Sequence, residues 1–260
     1  MIRLAAIADI HARPGGESTL REMLERAQAN ADVLVIAGDL TDSGLEEEAR
    51  VLAAVIDAGI ALPIVAVLGN HDFHHNQNAG IHRVLSECGV AVLDGDCWTC
   101  EHGGVRLGIG GCVGFGGGFR PYNLEAFGEP EWKTLYDKIV EEGRKLDRAL
   151  AGVHDADYIV AVTHYSPTVD TMGDEPPALH PYLGSSELGE AIERHDVLFA
   201  IHGHAHRGRR EGCTDRGTPV FNVSMPIVTQ PLIWSLEPRG ARHAEQKGEP
   251  TLVAPDGVAR

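Results

Sequence analysis

The sequence is poor in aromatic residues, in cysteine and in positive charge. Of its 260 residues, 5% are Phe, Trp or Tyr and five are cysteine, while 22 Lys and Arg stand against 38 Asp and Glu, for a formal net charge of −16. Proteins bind duplex nucleic acid largely through Lys and Arg contacts to its phosphates. The acidic composition therefore argues against a long nucleic acid as partner.

Long apolar runs are also missing. No run approaches the roughly 20 apolar residues that a membrane-spanning helix needs, so we expect no membrane partner. At the N-terminus, the apolar run 2–8 stops at a carboxylate, which predicts a buried first strand rather than a signal peptide. An odd number of cysteines without a secretory signal is typical of free thiols in a reducing compartment, and we expect a cytoplasmic protein.

Cys97 and Cys100 form a C-x-x-C pair, which is a fragment of many structural zinc sites. Such a site needs two further ligands, and only His102 lies near the pair in the sequence. We therefore interpret the pair as ordinary thiols on a strand.

Short apolar runs alternate with segments of helical periodicity through most of the chain. Hydrophobic residues make up 43% of the sequence, which is enough for a large core without disulfides. The alternation is typical of a mostly parallel sheet that is covered on both faces. Strands are predicted at 2–8, 32–37, 63–68, 90–93, 97–101, 105–110, 158–163, 197–201, 220–223 and 232–236. Helices are predicted at 17–29, 45–58, 78–88, 131–150 and 185–194.

Two segments are predicted to be irregular. Seven of the eleven residues from Gly108 to Gly118 are glycine, which is unfavourable inside a regular element, so we predict a mobile loop over 108–128. These glycines are not followed by the GxxxxGK[ST] motif of a P-loop. Pro, Gly and charged residues dominate 238–260, which predicts one domain over 1–237 and a poorly ordered tail over 238–260.

Five short polar motifs lie at the ends of predicted strands. They are D-x-H from Asp9, G-D-x-x-D from Gly38, G-N-H-D from Gly69, a single histidine at His164 and G-H-x-H from Gly203. Because the carboxyl ends of parallel strands share one edge of a sheet, motifs that are far apart in the chain can meet there. Imidazole, amide and carboxylate donors together suit divalent transition metals.

The spacing within the motifs favours ligation as well. Asp9 and His11 are separated by one residue, as are His204 and His206, and extended backbone places such pairs on the same side. Glycine directly precedes three candidate ligands and permits the close backbone approach that a ligand at the end of a strand requires. These three ligands are Asp39, Asn70 and His204.

In this order, the five motifs resemble the signature of the calcineurin-like metallophosphoesterase superfamily. The resemblance extends over residues 9–206 and implies an α/β fold, a four-layer α/β/β/α sandwich of the metallo-dependent phosphatase type. It also implies two divalent transition-metal ions, manganese first, with iron, zinc, nickel or cobalt as alternatives. The implied ligands are Asp9, His11, Asp39 and His206 for one ion, and Asp39, Asn70, His164 and His204 for the other.

The resemblance further implies roles for the neighbouring residues. His71 would protonate the leaving oxygen or stabilise the transition state, and Asp72 would orient His71. Asp42 is expected to cap the following helix or to support the site, since carboxylates at helix starts are common for structural reasons.

A charge count is consistent with a hydrolase. Two divalent ions, the carboxylates of Asp9 and Asp39 and a bridging hydroxide would together leave a charge of +1, so an acidic protein would contain a positive pocket for a phosphoester. Metal binding can lower the pKa of water to about 7. We expect a metal-bridging hydroxide to attack directly, without a serine or cysteine nucleophile.

The substrate is predicted only as a class. Ser43 and Asp72 stand where the protein Ser/Thr phosphatases of this superfamily carry Arg and Glu, which argues against a phosphoprotein. We expect a phosphodiesterase or phosphatase that acts on a small phosphorylated substrate such as a nucleotide. The alternative is an inactive scaffold of the same fold, although no expected ligand position is substituted. The oligomeric state stays open.

Overall fold

The protein is described by a computed structural model over residues 1–238 and 251–253. The strands in these residues are β1 (Ile2–Ile7), β2 (Val33–Ala37), β3 (Ile64–Val67), β4 (Ala91–Leu93), β5 (Asp96–His102), β6 (Val105–Cys112), β7 (Tyr158–Thr163), β8 (Val197–His202), β9 (Glu211–Cys213), β10 (Pro219–Asn222), β11 (Leu232–Leu236) and β12 (Thr251–Val253). The α-helices are α1 (Glu17–Asn30), α2 (Glu46–Asp57), α3 (Asn78–Glu87), α4 (Pro130–Ala151), α5 (His180–Leu183), α6 (Ser186–Ile192) and α7 (Met225–Val228).

The strands form two mixed sheets. The order is β12-β11-β1-β2-β3-β4 in the first sheet and β5-β6-β7-β8-β10-β9 in the second. Neighbouring strands from β1 to β4 are parallel, and so are β6, β7, β8 and β10. The remaining strands pair in antiparallel fashion at the edges. Each sheet therefore has one edge at which the carboxyl ends of its parallel strands meet.

Three apolar layers separate the sheets and helices. Leu24 and Leu52 lie in the layer between the first sheet and α1 to α3, and Leu146 lies in the layer between the second sheet and α4 and α6. In the middle layer, the rings of Phe199 and Trp234 stack at 4.9 Å and join the two sheets. The structure thus confirms the four-layer α/β/β/α sandwich.

The predicted strands and helices all form, and their ends differ from the prediction by no more than two residues. The sequence pattern did not predict the short elements β9, β12, α5 and α7, which are too brief to show a period. All five cysteines are free thiols, as expected.

The glycine-rich segment differs from the prediction, because its first part is a strand. Gly108, Gly110 and Gly111 belong to β6. A Cβ atom on Gly108 would lie 2.6 Å from the Cβ of Val153, and one on Gly111 would lie 2.9 Å from the Cγ1 of Val67. These glycines therefore permit close packing of the strand against its neighbours rather than loop mobility.

The predicted tail lies mostly outside the described residues. Within 238–260, however, β12 pairs with β11 in antiparallel register, with Ile233 opposite Val253. A segment that was predicted to be irregular therefore contributes an edge strand to the first sheet.

Gly110→Ala is expected to lower the free energy of unfolding by about 1–3 kcal/mol, the usual cost of overpacking. The new Cβ atom would lie 2.9 Å from the carbonyl carbon of Ala149 in α4. Urea denaturation measures the change. Lys133→Ala, at an exposed position of α4, is the control and should change the stability by less than about 0.5 kcal/mol. Equal stabilities of the Gly110 variant and the parent protein would contradict the packing argument.

Candidate metal centre

The five motifs meet where the carboxyl ends of the two sheets adjoin. Asp9, Asp39 and Asn70 follow strands of the first sheet, whereas His164 and His204 follow strands of the second. The sequence argument for a single sheet edge was therefore incomplete, because the site requires two sheets.

Direct hydrogen bonds join the two halves of the site. The Nδ1 of His164 lies 3.0 Å from the carbonyl oxygen of Ala37 at the end of β2. The backbone N–H of His204 donates to the Asp9 carboxylate at 3.2 Å. These bonds hold loops of one sheet against loops of the other.

Three glycines allow this close approach, as the sequence predicted. A Cβ atom at Gly38 would lie 2.3 Å from the Nδ1 of His164, and one at Gly203 would lie 2.7 Å from an oxygen of Asp9. At Gly69 it would lie 2.2 Å from an oxygen of Asp39. Any larger residue at these positions would displace the neighbouring donor.

Four of the candidate ligands have an unusual backbone conformation. Asp9, His11, Asp39 and His204 have φ angles of 59°, 43°, 50° and 70°. Such left-handed conformations cost roughly 1–3 kcal/mol each in non-glycine residues, and they persist only where the surrounding structure imposes them. Four such conformations at one site indicate that the fold positions these donor atoms at a cost in local stability.

Two carboxylates lie buried at the centre of the site. Asp9 is 3% and Asp39 is 1% exposed. Burial opposes ionisation of Asp9, but the hydrogen bond with His206 and the charges of His164 and His206 hold the pKa of its carboxyl below the usual value. Ionised carboxylates in such a setting require compensating positive charge.

The donor atoms form three overlapping groups that could hold a metal ion. In each group, one atom of every side chain lies within 4.8 Å of the others. The groups are Asp9 with His11 and His206, Asp9 with Asp39 and His164, and His11 with Asp39 and His71. The Oδ1 of Asn70 lies 2.8 Å from the Nε2 of His164 and so adjoins the second group.

Backbone carbonyls orient several of these imidazoles. A carbonyl only accepts, so a proton on the Nδ1 of His164 donates to Ala37 and turns the lone pair of Nε2 toward the oxygens of Asn70 and Asp39, at 2.8 Å and 3.4 Å. The Nε2 of His204 lies 3.1 Å from the carbonyl oxygen of Tyr182, which leaves its Nδ1 free. Metal-binding histidines usually donate their second N–H to a carbonyl or carboxylate.

The protonation states suit metal binding as well. Burial lowers the pKa of His204 to about 3 and holds that of His11 below its usual value, so both rings are neutral at pH 7. The Nδ1 of His11 is buried and has no hydrogen-bond partner among the described residues. Neutral imidazoles, an unsatisfied ring nitrogen and two buried carboxylates together fit divalent cations.

Asp72 is fully buried and links two of the loops. Its carboxylate accepts backbone N–H bonds from Leu40 at 3.2 Å, Thr41 at 2.8 Å and Gly69 at 2.8 Å, and a bond from the Thr41 hydroxyl at 2.6 Å. Burial raises the pKa of Asp72 to about 6. Asp72 therefore joins the loop before Asn70 to the loop after Asp39.

His71 is oriented by another residue than the one predicted. Its Nδ1 donates to the carbonyl oxygen of Asp42 at 2.6 Å, and its Nε2 lies 3.9 Å from Asp39. The Asp42 carboxylate lies 3.6 Å from the Nδ1 of His11 and 3.4 Å from Arg13. Asp42 thus supports the site, as expected. The backbone carbonyl of Asp42, and not the carboxylate of Asp72, bonds the ring of His71.

Tyr165 is a residue that the sequence reasoning missed. Its ring lies 4.5 Å from that of His204 and 5.6 Å from that of His164. Burial and the nearby carboxylates of Asp39 and Glu142 raise the pKa of the Tyr165 phenol to about 12, so it stays protonated. Its hydroxyl has no hydrogen-bond partner in the described part of the chain. Its position directly after His164 was the available signal.

Comparison with known proteins supports the same reading of the motifs. Residues 2–208 match the family model of the calcineurin-like phosphoesterases. A UPF0046 protein of Caenorhabditis elegans is 26% identical over 220 residues, which cover 79% of this chain and 68% of that protein. The crystal structure of phosphopantetheinyl hydrolase from Mycobacterium tuberculosis shares the fold, with a TM-score of 0.59 at 15% identity over 97% of this chain and 96% of that one.

A second relative is named for its membrane location. It is a transmembrane protein with a metallophosphoesterase domain from Danio rerio, 24% identical over 217 residues, which cover 80% of this chain and 41% of that protein. In the described part of this chain, no helix has the length and apolar character to cross a membrane. The cytoplasmic location stays a prediction.

The family match extends over the five motifs and over both sheets up to β8. The chain belongs to the calcineurin-like phosphoesterase family and is a metal-dependent phosphoesterase.

Proposed function

We propose that this protein hydrolyses a small phosphodiester or phosphomonoester, such as a nucleotide, at a centre of two divalent metal ions. The observation that carries the proposal is the convergence of carboxylate, amide and imidazole donors from two sheets around the buried Asp9 and Asp39. Manganese is the first choice of metal, following the resemblance to the family, and a donor set of oxygen and imidazole without thiolate also suits iron, zinc, nickel or cobalt.

The donor groups agree in part with two ligand sets that share Asp39: Asp9, His11 and His206 form one group, and Asp39 and His164 belong to another, whereas His204 is in none of the three. Asp9, His11 and His206 would bind one ion together with Asp39. Asn70, His164 and His204 would bind the other ion together with Asp39. Two such ions supply positive charge for the phosphoryl oxygens and activate water as the nucleophile at neutral pH.

His71 would act as the general acid. Its Nδ1 is fixed by the Asp42 carbonyl, so its Nε2 faces the centre, where it can hold a proton for the leaving oxygen. The side chain is 32% exposed, which leaves room for a substrate between His71 and solvent. A positioned general acid contributes roughly 10²- to 10⁴-fold to a rate.

Tyr165 would donate a hydrogen bond to the phosphoryl group. Its protonated hydroxyl lacks a partner among the described residues, and the Tyr165 ring lies beside the rings of His164 and His204. Hydrogen bonds to charged groups are worth about 1.5–3 kcal/mol, which gives Tyr165 a measurable role.

Removal and return of the metal test the function. Protein stripped with a chelator should be inactive, and Mn²⁺ should restore hydrolysis of p-nitrophenyl phosphate, of bis-p-nitrophenyl phosphate, or of both. A preference for the bis-ester would identify a diesterase. Hydrolysis of neither ester by the Mn²⁺-loaded protein would refute the proposal and favour an inactive scaffold.

Variants at Asp39 and His71 should distinguish loss of metal binding from loss of catalysis. Asp39→Ala is expected to lose both ions, because one carboxylate serves two, whereas His71→Gln should keep the ions and lose about 10²- to 10⁴-fold in kcat. Metal content by mass spectrometry and steady-state kinetics measure the two effects. Asp137→Ala, at an exposed position of α4, is the matched control. Loss of metal from the His71 variant would show that its role is ligation.

Tyr165→Phe removes only the hydroxyl and should leave the metal content unchanged. We expect kcat/KM to fall about tenfold or more, in line with the loss of a hydrogen bond to a charged group. Tyr136→Phe in α4 is the control. An unchanged kcat/KM for the Tyr165 variant would remove Tyr165 from the proposed mechanism.

A further inference from the structure

Positive charge is scarce on this protein, and most of it is neutralised locally. With a net charge of −16, nearly every Lys and Arg of the described residues forms an ion pair with a carboxylate. The exceptions within that part of the chain are Arg21, Lys133, Arg207 and Arg209. A free guanidinium on so acidic a surface is therefore unusual.

Arg207 and Arg209 directly follow the metal motif that ends at His206. Both side chains are exposed. The backbone N–H of Arg207 donates to the buried carboxylate of Glu175 at 2.7 Å, and that of Arg209 donates to the carbonyl of Thr171 at 2.9 Å. The chain is thus anchored here through its backbone, while both guanidinium groups stay available.

The metal centre reaches solvent at His206, which directly precedes Arg207 in the chain. The side chain of His206 is 40% exposed, whereas those of Asp39 and His164 are at most 1% exposed. The site reaches solvent at His206 and also at His71, whose side chain is 32% exposed, and a substrate that extends away from the reacting phosphate past His206 would reach the arginines. Arg207 is the next residue along the chain.

Other arginines near the site are already engaged. Arg120 pairs with Glu187 at 3.3 Å and Glu190 at 2.7 Å, and Arg13 lies 3.4 Å from Asp42. Arg210, next to Arg209, pairs with Glu211 at 2.6 Å. Among the described residues, Arg207 and Arg209 are therefore the arginines next to the last metal motif that form no ion pair.

We propose that Arg207 and Arg209 form an anion subsite at the rim of the metal centre, and that the substrate carries a second phosphate group beyond the ester that is hydrolysed. This inference rests on the proposed function. Guanidinium groups match phosphate oxygens in two-pronged hydrogen bonds. A terminal phosphate carries a charge of about −1.5 to −2 at pH 7. Two guanidinium groups match this charge better than they match the single charge of a carboxylate.

Two thymidine esters that differ by one phosphate test the subsite. The Mn²⁺-loaded full chain is assayed on thymidine 5′-(p-nitrophenyl phosphate) and on the same ester with an added 3′-phosphate, and released p-nitrophenol is measured. We expect kcat/KM to be about tenfold or more higher for the 3′-phosphorylated ester, and the preference to rise as salt is lowered.

Charge-removing variants assign the preference to these residues. Arg207→Gln combined with Arg209→Gln should abolish it and leave hydrolysis of bis-p-nitrophenyl phosphate unchanged. Arg210→Gln removes a neighbouring charge that is already paired, so this control should keep the preference. A double variant that retains the preference would overturn the subsite.

Hydrolysis of the three esters by the parent protein distinguishes failure of the subsite from failure of the proposed function. If the parent protein hydrolyses bis-p-nitrophenyl phosphate but shows no preference between the thymidine esters, or cleaves neither of them, the subsite is overturned and the proposed function stands. If it hydrolyses none of the esters, the proposed function fails, and the subsite fails with it.

Discussion

The structure of the site depends on two carboxylates, Asp9 and Asp39, that are buried between the two sheets. The acceptor atoms of Asp9 and Asp39 lie, with a nitrogen of His164, within 4.8 Å of one another. Ionised groups so close together and removed from water are unfavourable unless positive charge compensates them. The hydrogen bond between His206 and Asp9 offsets part of that cost. Divalent cations would compensate the remaining negative charge. The burial that makes the two carboxylates unfavourable without a cation would therefore favour metal binding.

The scaffold holds this arrangement by contacts that lie outside the donor set. Asp72 ties the loop of Asp39 to the loop of Asn70 through four hydrogen bonds. Backbone carbonyls at Ala37 and Tyr182 lie against ring nitrogens of the histidines. Three apolar layers keep the loop-bearing ends of both sheets in register. Because these supports are rigid, left-handed backbone conformations persist at four of the candidate ligands.

The distribution of charge on the protein favours a small anionic substrate at the metal centre. The surface is acidic and its basic groups are largely paired, so an anionic substrate would find little attraction elsewhere on the protein. Attraction is concentrated at the metal centre and, in the proposed subsite, at Arg207 and Arg209. A small substrate with two phosphate groups would satisfy both, whereas a long nucleic acid would meet repulsion over most of its length.

The sequence by itself determined the strands and the main helices, and it predicted the candidate donor residues. β-branched runs and helical periods are local, and the five motifs keep their order in the chain. Only the tertiary structure decided that the motifs meet across two sheets, that Asp72 binds the loops rather than His71, and that Gly111 packs in β6 against Val67 instead of lying in a mobile loop. A local pattern reports the conformational preference of a short segment. These contacts join residues that are about 30 to 130 positions apart, and only packing decides which of them meet.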